Sequence, residues 1–264
     1  MIELSKKIWR DHWVGITLIS VGLLVYGWLF AALFPTFEKI DINQLIDQYP
    51  EALKSFLSES FDISTFAGFL DIEYFSLVWV IIVGGYLISF ATSEISKEVE
   101  TKTIESLLSL PISRFKIIFT KWLNMALITI FLIAISTFPL IGFAAIYGIN
   151  LSAMSMLMIS ILGFLFFMSI GSFTMALAVL FNERNKAVFI PIVVLLFGYI
   201  WNSLGRFIES IENFRFFSIF YFFDSARALV DKQIGLASIF VFLGIIVIST
   251  AFAFYWFNRR DFAI

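Results

Sequence analysis

The chain has 264 residues, of which 60% are hydrophobic, 14% are charged and 34 are phenylalanine, with a formal net charge of −2. Soluble domains carry about 25% charged residues, so this chain cannot cover a globule of its size with polar surface, and its charge balance leaves no electrostatic footprint for nucleic acid. With no cysteine and one histidine, disulfides, zinc sites, haem attachment and thiol catalysis lack their ligands, and the redox compartment cannot be read.

Residues 1–12 have a helical pattern. At about 100° per residue, Ile2, Leu4, Ile8, Trp9 and Trp13 fall in one half of the wheel and Glu3, Lys6, Lys7, Arg10 and Asp11 in the other. Ser5 and His12 sit inside the apolar half, where His12 is read as an amphipathic packer rather than a proton carrier. A basic face opposite tryptophan is the pattern of a helix lying in the membrane interface; the plainer reading is a charged flank that orients the first span. Residues 13–37 then carry no Asp, Glu, Lys, Arg or His. About 20 apolar residues cross roughly 30 Å of hydrocarbon, which predicts a first transmembrane helix over 13–34. The basic flank suits a signal peptide, but the apolar core is too long and Phe34-Pro35-Thr36-Phe37 offers no small-residue cleavage site, so an uncleaved anchor is expected.

The loop 35–73 is acidic, with eight carboxylates (Glu38, Asp41, Asp47, Glu51, Glu59, Asp62, Asp71, Glu73) against Lys39 and Lys54. A second charge-free stretch predicts a helix over 74–93. The segment 94–121 is too long for a turn and is helical in pattern: Ile95, Val99, Ile104, Leu107, Leu108 and Pro111 lie on or near one stripe. Glu98 stands four residues before Lys102, the favourable order for a helical ion pair. Pro111 stops that helix, because the residue before a proline is pushed out of the α region. Ser113 can cap the next helix, which continues through Lys121 into the membrane. A short amphipathic helix joined rigidly to the third span suits the transmission of force from a cytoplasmic partner; on pattern alone a structural elbow serves equally.

Residues 122–182 form a charge-free run of 61 residues, about 90 Å as continuous helix, so the chain must turn back once. Gly148-Ile149-Asn150-Leu151-Ser152 interrupts the apolar run and is the natural turn, giving helices over 120–147 and 153–181. Pro139 is expected to kink the first of them. Met154, Met156, Met158, Met168 and Met175 cluster in the second. Thioethers bind copper(I), but without cysteine or a nearby histidine adaptable packing is the better account. Glu183, Arg184, Asn185 and Lys186 read either as a solvated turn or as a contact with a partner. Helices follow over 187–204 and 234–257. Between them lie Phe207, Phe214, Phe216, Phe217, Phe220, Tyr221, Phe222 and Phe223, with charges three apart at Arg206/Glu209, Glu212/Arg215 and Asp224/Arg227, a spacing that shares a helix face. Half-buried outer helices dipping into the membrane fit this, and so does an aromatic belt flanking the last span.

Basic residues set the orientation. Lys6, Lys7, Arg10, Lys97, Lys102, Arg114, Lys116, Lys121, Arg184, Lys186, Arg259 and Arg260 lie on one side; Lys39, Lys54, Arg206, Arg215, Arg227 and Lys232 lie on the other. Twelve against six places both termini in the cytoplasm. The fold expected is an all-α integral membrane protein, a single transmembrane domain over 1–264 with six transmembrane helices.

The run Ile95-Ser96-Lys97-Glu98-Val99-Glu100-Thr101-Lys102-Thr103-Ile104-Glu105-Ser106-Leu107-Leu108-Ser109-Leu110-Pro111-Ile112-Ser113-Arg114 resembles the signature of ATP-binding-cassette type-2 (ABC-2) exporter permeases. In that family an acidic pair leads into Gly-Thr-Leu-Glu, then Leu-Leu-Ser-x-Pro-Val-Ser-Arg, then a lysine before the third span. Glu98, Glu100, Thr103, Glu105, Leu107, Leu108, Ser109, Pro111, Ser113, Arg114 and Lys121 stand at matching positions. Thr65-Phe66-Ala67-Gly68-Phe69-Leu70 and Arg259-Arg260-Asp261 resemble further family habits. Lys102 stands where the family usually has glycine, and Lys116 where an acidic residue is common.

The resemblance implies a half-transporter in the cell membrane of a prokaryote, paired with a second permease chain as homo- or heterodimer, with two ABC ATPase subunits beneath. It implies that residues 94–114 dock on the ATPase as a coupling helix through Glu98, Glu100, Thr103, Glu105, Leu107, Leu108, Pro111, Ser113 and Arg114. The N-terminal interfacial helix 1–12 and a second contact at Glu183 and Arg184 would lie nearby, and re-entrant helices would precede the last span. No cofactor is expected in this chain: ATP and Mg would be bound by the partner. Independently, no Gly-x-x-x-x-Gly-Lys phosphate loop exists here and no glycine precedes a lysine, so energy must come from a partner chain or from an ion gradient.

The alternatives are a six-helix binding or assembly protein and an ion-coupled transporter without an ATPase. Ion-coupled carriers and intramembrane enzymes need ionisable groups at depth, and the charge-free stretches that make up the six predicted spans contain none, Lys121 standing at the very start of the third. Uncharged spans rich in Phe and Leu favour an apolar or amphipathic cargo such as a lipid-like molecule, drug or peptide, although lipid-facing residues account for the same composition.

Overall fold

The computed structural model describes residues 1–37, 65–101, 112–181 and 183–260. Among these, the regular structure is entirely helical, with six helices long and apolar enough to cross a membrane: α1 Ile2–Phe37, α2 Phe66–Glu100, α3 Arg114–Ile146, α4 Ala153–Leu180, α5 Arg184–Arg206 and α6 Leu236–Arg259. Each overlaps one of the six predicted spans, and all but α4 reach past theirs at one end or both, because polarity at a membrane boundary does not interrupt a backbone hydrogen-bond ladder.

The extension is largest in α1. Residues 1–12 are not a separate interfacial helix but the first turns of one unbroken rod of 36 residues, about 54 Å long. Nothing in 2–14 is a proline or glycine, so no residue breaks the ladder where the charges end. Part of the apolar stripe faces protein: Ile8 is buried, and the Ser5 hydroxyl beside it donates to Asn124 Oδ1 on α3 at 2.7 Å.

The turn between α3 and α4 falls where the glycine predicts it. Gly148 adopts φ +72°, the left-handed region open to glycine without Cβ strain. Its N–H donates to the Ala145 carbonyl at 3.1 Å, and that of Ile149 to Ala144 at 2.9 Å, the two bonds of a Schellman closure. Upstream, the ladder of α3 is interrupted after Thr137 and restarts at Pro139, since proline supplies no N–H. Ser113 caps α3, accepting from Lys116 N at 3.4 Å, and Thr65 caps α2, accepting from Gly68 N at 3.1 Å.

α4 is the hub: it packs against α2, α3, α5 and α6. The most apolar windows of α2 and α4 are 56% buried, against 22% for α5 and α6, so the latter pair form the periphery. Phe189, Phe197, Phe240, Val247 and Ile248 stand exposed there, an arrangement stable in lipid and costly in water. Because lipid is as apolar as leucine, helices in a bilayer associate through close packing of small residues and through polar contacts. Both are present. A Cβ on Gly163 of α4 would lie 2.3 Å from the Trp79 ring of α2, and one on Gly171 2.8 Å from Met125 Sδ of α3. Trp79 Nε1 donates to Ser136 Oγ at 2.9 Å, and Thr137 pairs with Ser160 across α3 and α4 at 2.9 Å. Met156, Met168 and Met175 are buried in this core, as packing predicts.

Gly163→Val should therefore be among the most damaging single changes within the spans. Trp79 is fully buried and cannot swing aside, so overpacking should cost at least the typical ~1–3 kcal/mol. Thermal melting of the detergent-solubilised chain measures this; a variant that melts with the wild type would show the α2–α4 contact to be looser than described.

Candidate functional site: a charged cluster at the end of the bundle that holds both termini

Glu94 and Glu98 stand four residues apart on α2 and so share a face. Opposite them is Lys121, seven residues into α3 and 1% exposed. Its Nζ lies 3.4 Å from Glu94 Oε2, contacts Glu98 Oε2 at 2.5 Å and donates to the Glu94 carbonyl. Glu94 occupies the π-helical turn Ser93–Lys97, a local widening often found at functional sites. From α1, His12 Nε2 reaches Glu94 Oε1 at 3.0 Å, with its ring packed against Phe90 at 4.6 Å. An ammonium held by two carboxylates and a carbonyl satisfies the rule that buried charges be paired and hydrogen-bonded. One compact polar core thus joins α1, α2 and α3.

A second set of contacts brings in the ends of α4, α5 and α6. The backbone N–H of Arg184, in the first turn of α5, donates to Glu100 Oε2 at 3.3 Å, and its guanidinium donates to Ser93 Oγ at 3.2 Å. Ser96 Oγ donates to the Ala178 carbonyl of α4 at 3.1 Å. The Arg260 guanidinium donates to the Val179 carbonyl in the last turn of α4, satisfying an acceptor the helix end leaves without an intrahelical donor; its burial pushes the guanidinium below its ordinary pKa. The Arg260 carbonyl in turn accepts from Arg114 Nη1 at 2.7 Å. The last turns of α2 are consequently tied directly to α1, α3, α4 and α5, and through the end of α4 to the end of α6.

Of the residues expected at an ATPase contact, Glu98, Glu100, Ser113, Arg114 and Arg184 all belong to this region. Glu183 pairs with Lys186 on the exposed surface at 2.8 Å. Thr103, Glu105, Leu107, Leu108 and Pro111 lie outside the described residues, as does Lys102, the predicted partner of Glu98. The absence of ionisable groups was correct for the charge-free stretches but not for the helices, because Glu94 and Lys121 fall one residue outside two of those stretches and are helical. Sequence reasoning thus missed Glu94, His12 and Arg260 as members of the site, and kept Lys121 only as a motif match. One signal was available: a carboxylate closing one apolar stretch and an amine opening the next, at the same end of the bundle.

At the opposite end, the link between α5 and α6 forms short helical segments, Glu209–Glu212, Arg215–Phe217, Ile219–Phe222 and Ser225–Leu229. They fold back on α5: Ser218 Oγ donates to the Gly198 carbonyl at 2.7 Å and Trp201 Nε1 to Phe214 at 3.0 Å. Of the charges spaced three apart, the Glu209 side chain lies outside those described, and the other two spacings are met by different bonds. Asp224 accepts from the Arg227 backbone N–H at 3.0 Å as a helix cap, and Arg215 Nε donates to Asn202 Oδ1 at 3.3 Å.

A comparison with curated proteins gives no match. The family model described as ABC-2 family transporter protein matches residues 6–262, nearly the whole chain. With six apolar helices able to cross a membrane and the second-loop signature in place, this chain belongs to the ABC-2 transporter family as a membrane-embedded permease.

Proposed function

We propose that this chain is the permease half of an ATP-driven exporter in a prokaryotic cell membrane, with both termini cytoplasmic. ATP is hydrolysed on separate ABC ATPase subunits, and two permease chains form the translocation path. The observation that carries this reading is the connection of the last turns of α2 to the other helices, directly through His12, Lys121, Ser96 and Arg184 and, by way of the end of α4, to Arg260. A partner that docks on residues 94–114 and moves them would displace the ends of several helices together, since a buried ion pair resists being pulled apart. An ion-coupled carrier would need a titratable group near mid-membrane. Lys121 lies only about 10 Å along α3 from its first residue, and α4 has no charged residue at all.

The test is affinity purification of the tagged chain from its native membrane, with and without a non-hydrolysable ATP analogue. An ABC ATPase should co-purify, and Glu105→Lys combined with Leu108→Ala should release it while leaving the melting temperature unchanged. Failure to recover an ATPase under any condition would overturn the exporter reading. Retention despite the double change would move the contact to Glu183 and Arg184.

A further inference from the structure

At the end of the bundle away from the charged cluster, a cavity of about 800 Å³ opens between the start of α2, the end of α5, the short segments and the start of α6. We propose that this cavity is a binding site for a phosphate-type monoanion, presented as the head group of a lipid or as free phosphate.

Three guanidiniums line it, those of Arg206, Arg215 and Arg227, against two carboxylates, Asp71 and Asp224. Among the described residues none of the three arginines forms an ion pair. Asp224 has one oxygen committed to capping the short helix that begins at Ser225. The lining therefore carries one positive charge in excess; Asp71 acts on Arg206, and Asp224 and the neighbouring Glu212 on Arg215, only from beyond ion-pair distance, which leaves the guanidinium forks open to a ligand.

Arg215 is held in place for this purpose. A Cβ on Gly205 would lie 2.4 Å from Arg215 Cγ, so the arginine stem lies directly on the backbone of α5, an approach that only glycine permits. Asn202 Oδ1 accepts from its Nε, and the guanidinium carbon stands 5.6 Å from the centroid of the Tyr221 ring. These contacts fix the plane of the fork. Burial, and after it the like charge of Arg206, lower the Arg215 guanidinium from its ordinary pKa. Two guanidiniums that repel each other across a cavity are stabilised by an anion between them. The fork geometry of arginine matches phosphate oxygens in pairs. A single excess charge matches a phosphodiester or a singly ionised phosphate. Serines and an aromatic run, Phe220, Phe222 and Phe223, share the rest of the wall; the hydroxyls suit the glycerol and the rings the acyl portion of an amphiphile entering from lipid.

This inference does not rest on the ATPase partner, and its test contains none. The full chain, purified in neutral detergent, would be melted with phosphatidylglycerol, with diacylglycerol of the same acyl chains, and with inorganic phosphate. At about 100 times Kd a ligand specific to the folded state should raise Tm by about 5 °C. We expect this shift with phosphatidylglycerol and none with diacylglycerol. A shift with inorganic phosphate alone would identify the free anion as the occupant, and a shift with the lipid alone would identify the head group. Arg206→Gln with Arg227→Gln, both at exposed positions, should abolish the shift, and lysine at both positions should restore part of it. Asn202→Asp, which places a carboxylate beside Arg215 without removing any arginine, should also abolish it. The proposal is overturned if neither probe moves Tm, or if the shift survives in the double glutamine variant.

Discussion

Replacing Lys121 by methionine is expected to destabilise the chain by about 3–5 kcal/mol, the usual consequence of removing one member of a buried ion pair. For a chain of this size that corresponds to a fall in Tm on the order of 10 °C. The reason lies in what remains. Methionine fills nearly the same volume, so no cavity opens, but Glu94 keeps only His12 as a side-chain partner and its carbonyl loses the ammonium. A carboxylate that is 10% exposed has little access to water with which to replace that charge.

The companion variant separates charge from shape. Lys121→Met with Glu94→Gln and Glu98→Gln removes the charges together, and a buried ionic group replaced as a unit is often neutral in stability. The triple variant should therefore melt well above Lys121→Met alone. Yet it should still recover less ATP-driven transport than the wild type if the cluster serves to move α1, α2 and α3 as one body. Differential scanning fluorimetry in detergent reads the first comparison, and a single variant that melts with the wild type would show that Lys121 is not the centre of the cluster.

What the sequence made legible follows from the range over which each signal acts. The turn at Gly148 and the cap at Ser113 are written in a few neighbouring residues, and the structure places both where local chemistry demands. The six spans are equally legible, because bilayer thickness sets a length that a run of apolar residues either meets or does not. The misjudged parts depend on who stands beside whom. His12 on the apolar half of α1 looked like a packer, and it does pack on Phe90, but its nitrogen is also taken by Glu94, 82 residues away. Spacing placed Arg215 on a helix face with Glu212, and said nothing of Asn202, which takes its Nε, or of Gly205, on which its stem lies. Helical periodicity names the face a charge occupies and leaves its neighbour to the packing of other helices. The division of α1 failed for a different reason: a change in side-chain polarity was taken as a change in backbone, and only proline, glycine or a competing cap would have made it one.

Glu100→Lys is expected to uncouple the two ends of the proposed ATPase contact while leaving the fold nearly intact. The Glu100 carboxylate accepts from the first-turn N–H of α5 at Arg184, where the helix leaves donors unsatisfied and carries partial positive charge. An exposed interaction of this kind contributes about 0.3–1 kcal/mol, so the melting temperature should hardly move. The consequence for mechanism should be larger. If the segment leaving α2 drives α5 through this contact, a lysine sets cation against the positive helix end and against the Arg184 guanidinium. Coupling energies between sites are typically worth about 5- to 150-fold, and the ratio of transport to ATP hydrolysis should fall within that range. Glu100→Asp, which keeps the carboxylate, should lose far less. The absence of native cysteine allows a direct readout, with a fluorophore on Glu183→Cys at the exposed start of α5. In the reconstituted complex its signal should respond to ATP with Glu100 present and stay silent with Glu100→Lys. An unchanged response would mean that α5 takes its motion from elsewhere, leaving the Lys121 cluster as the route from the second loop into the bundle.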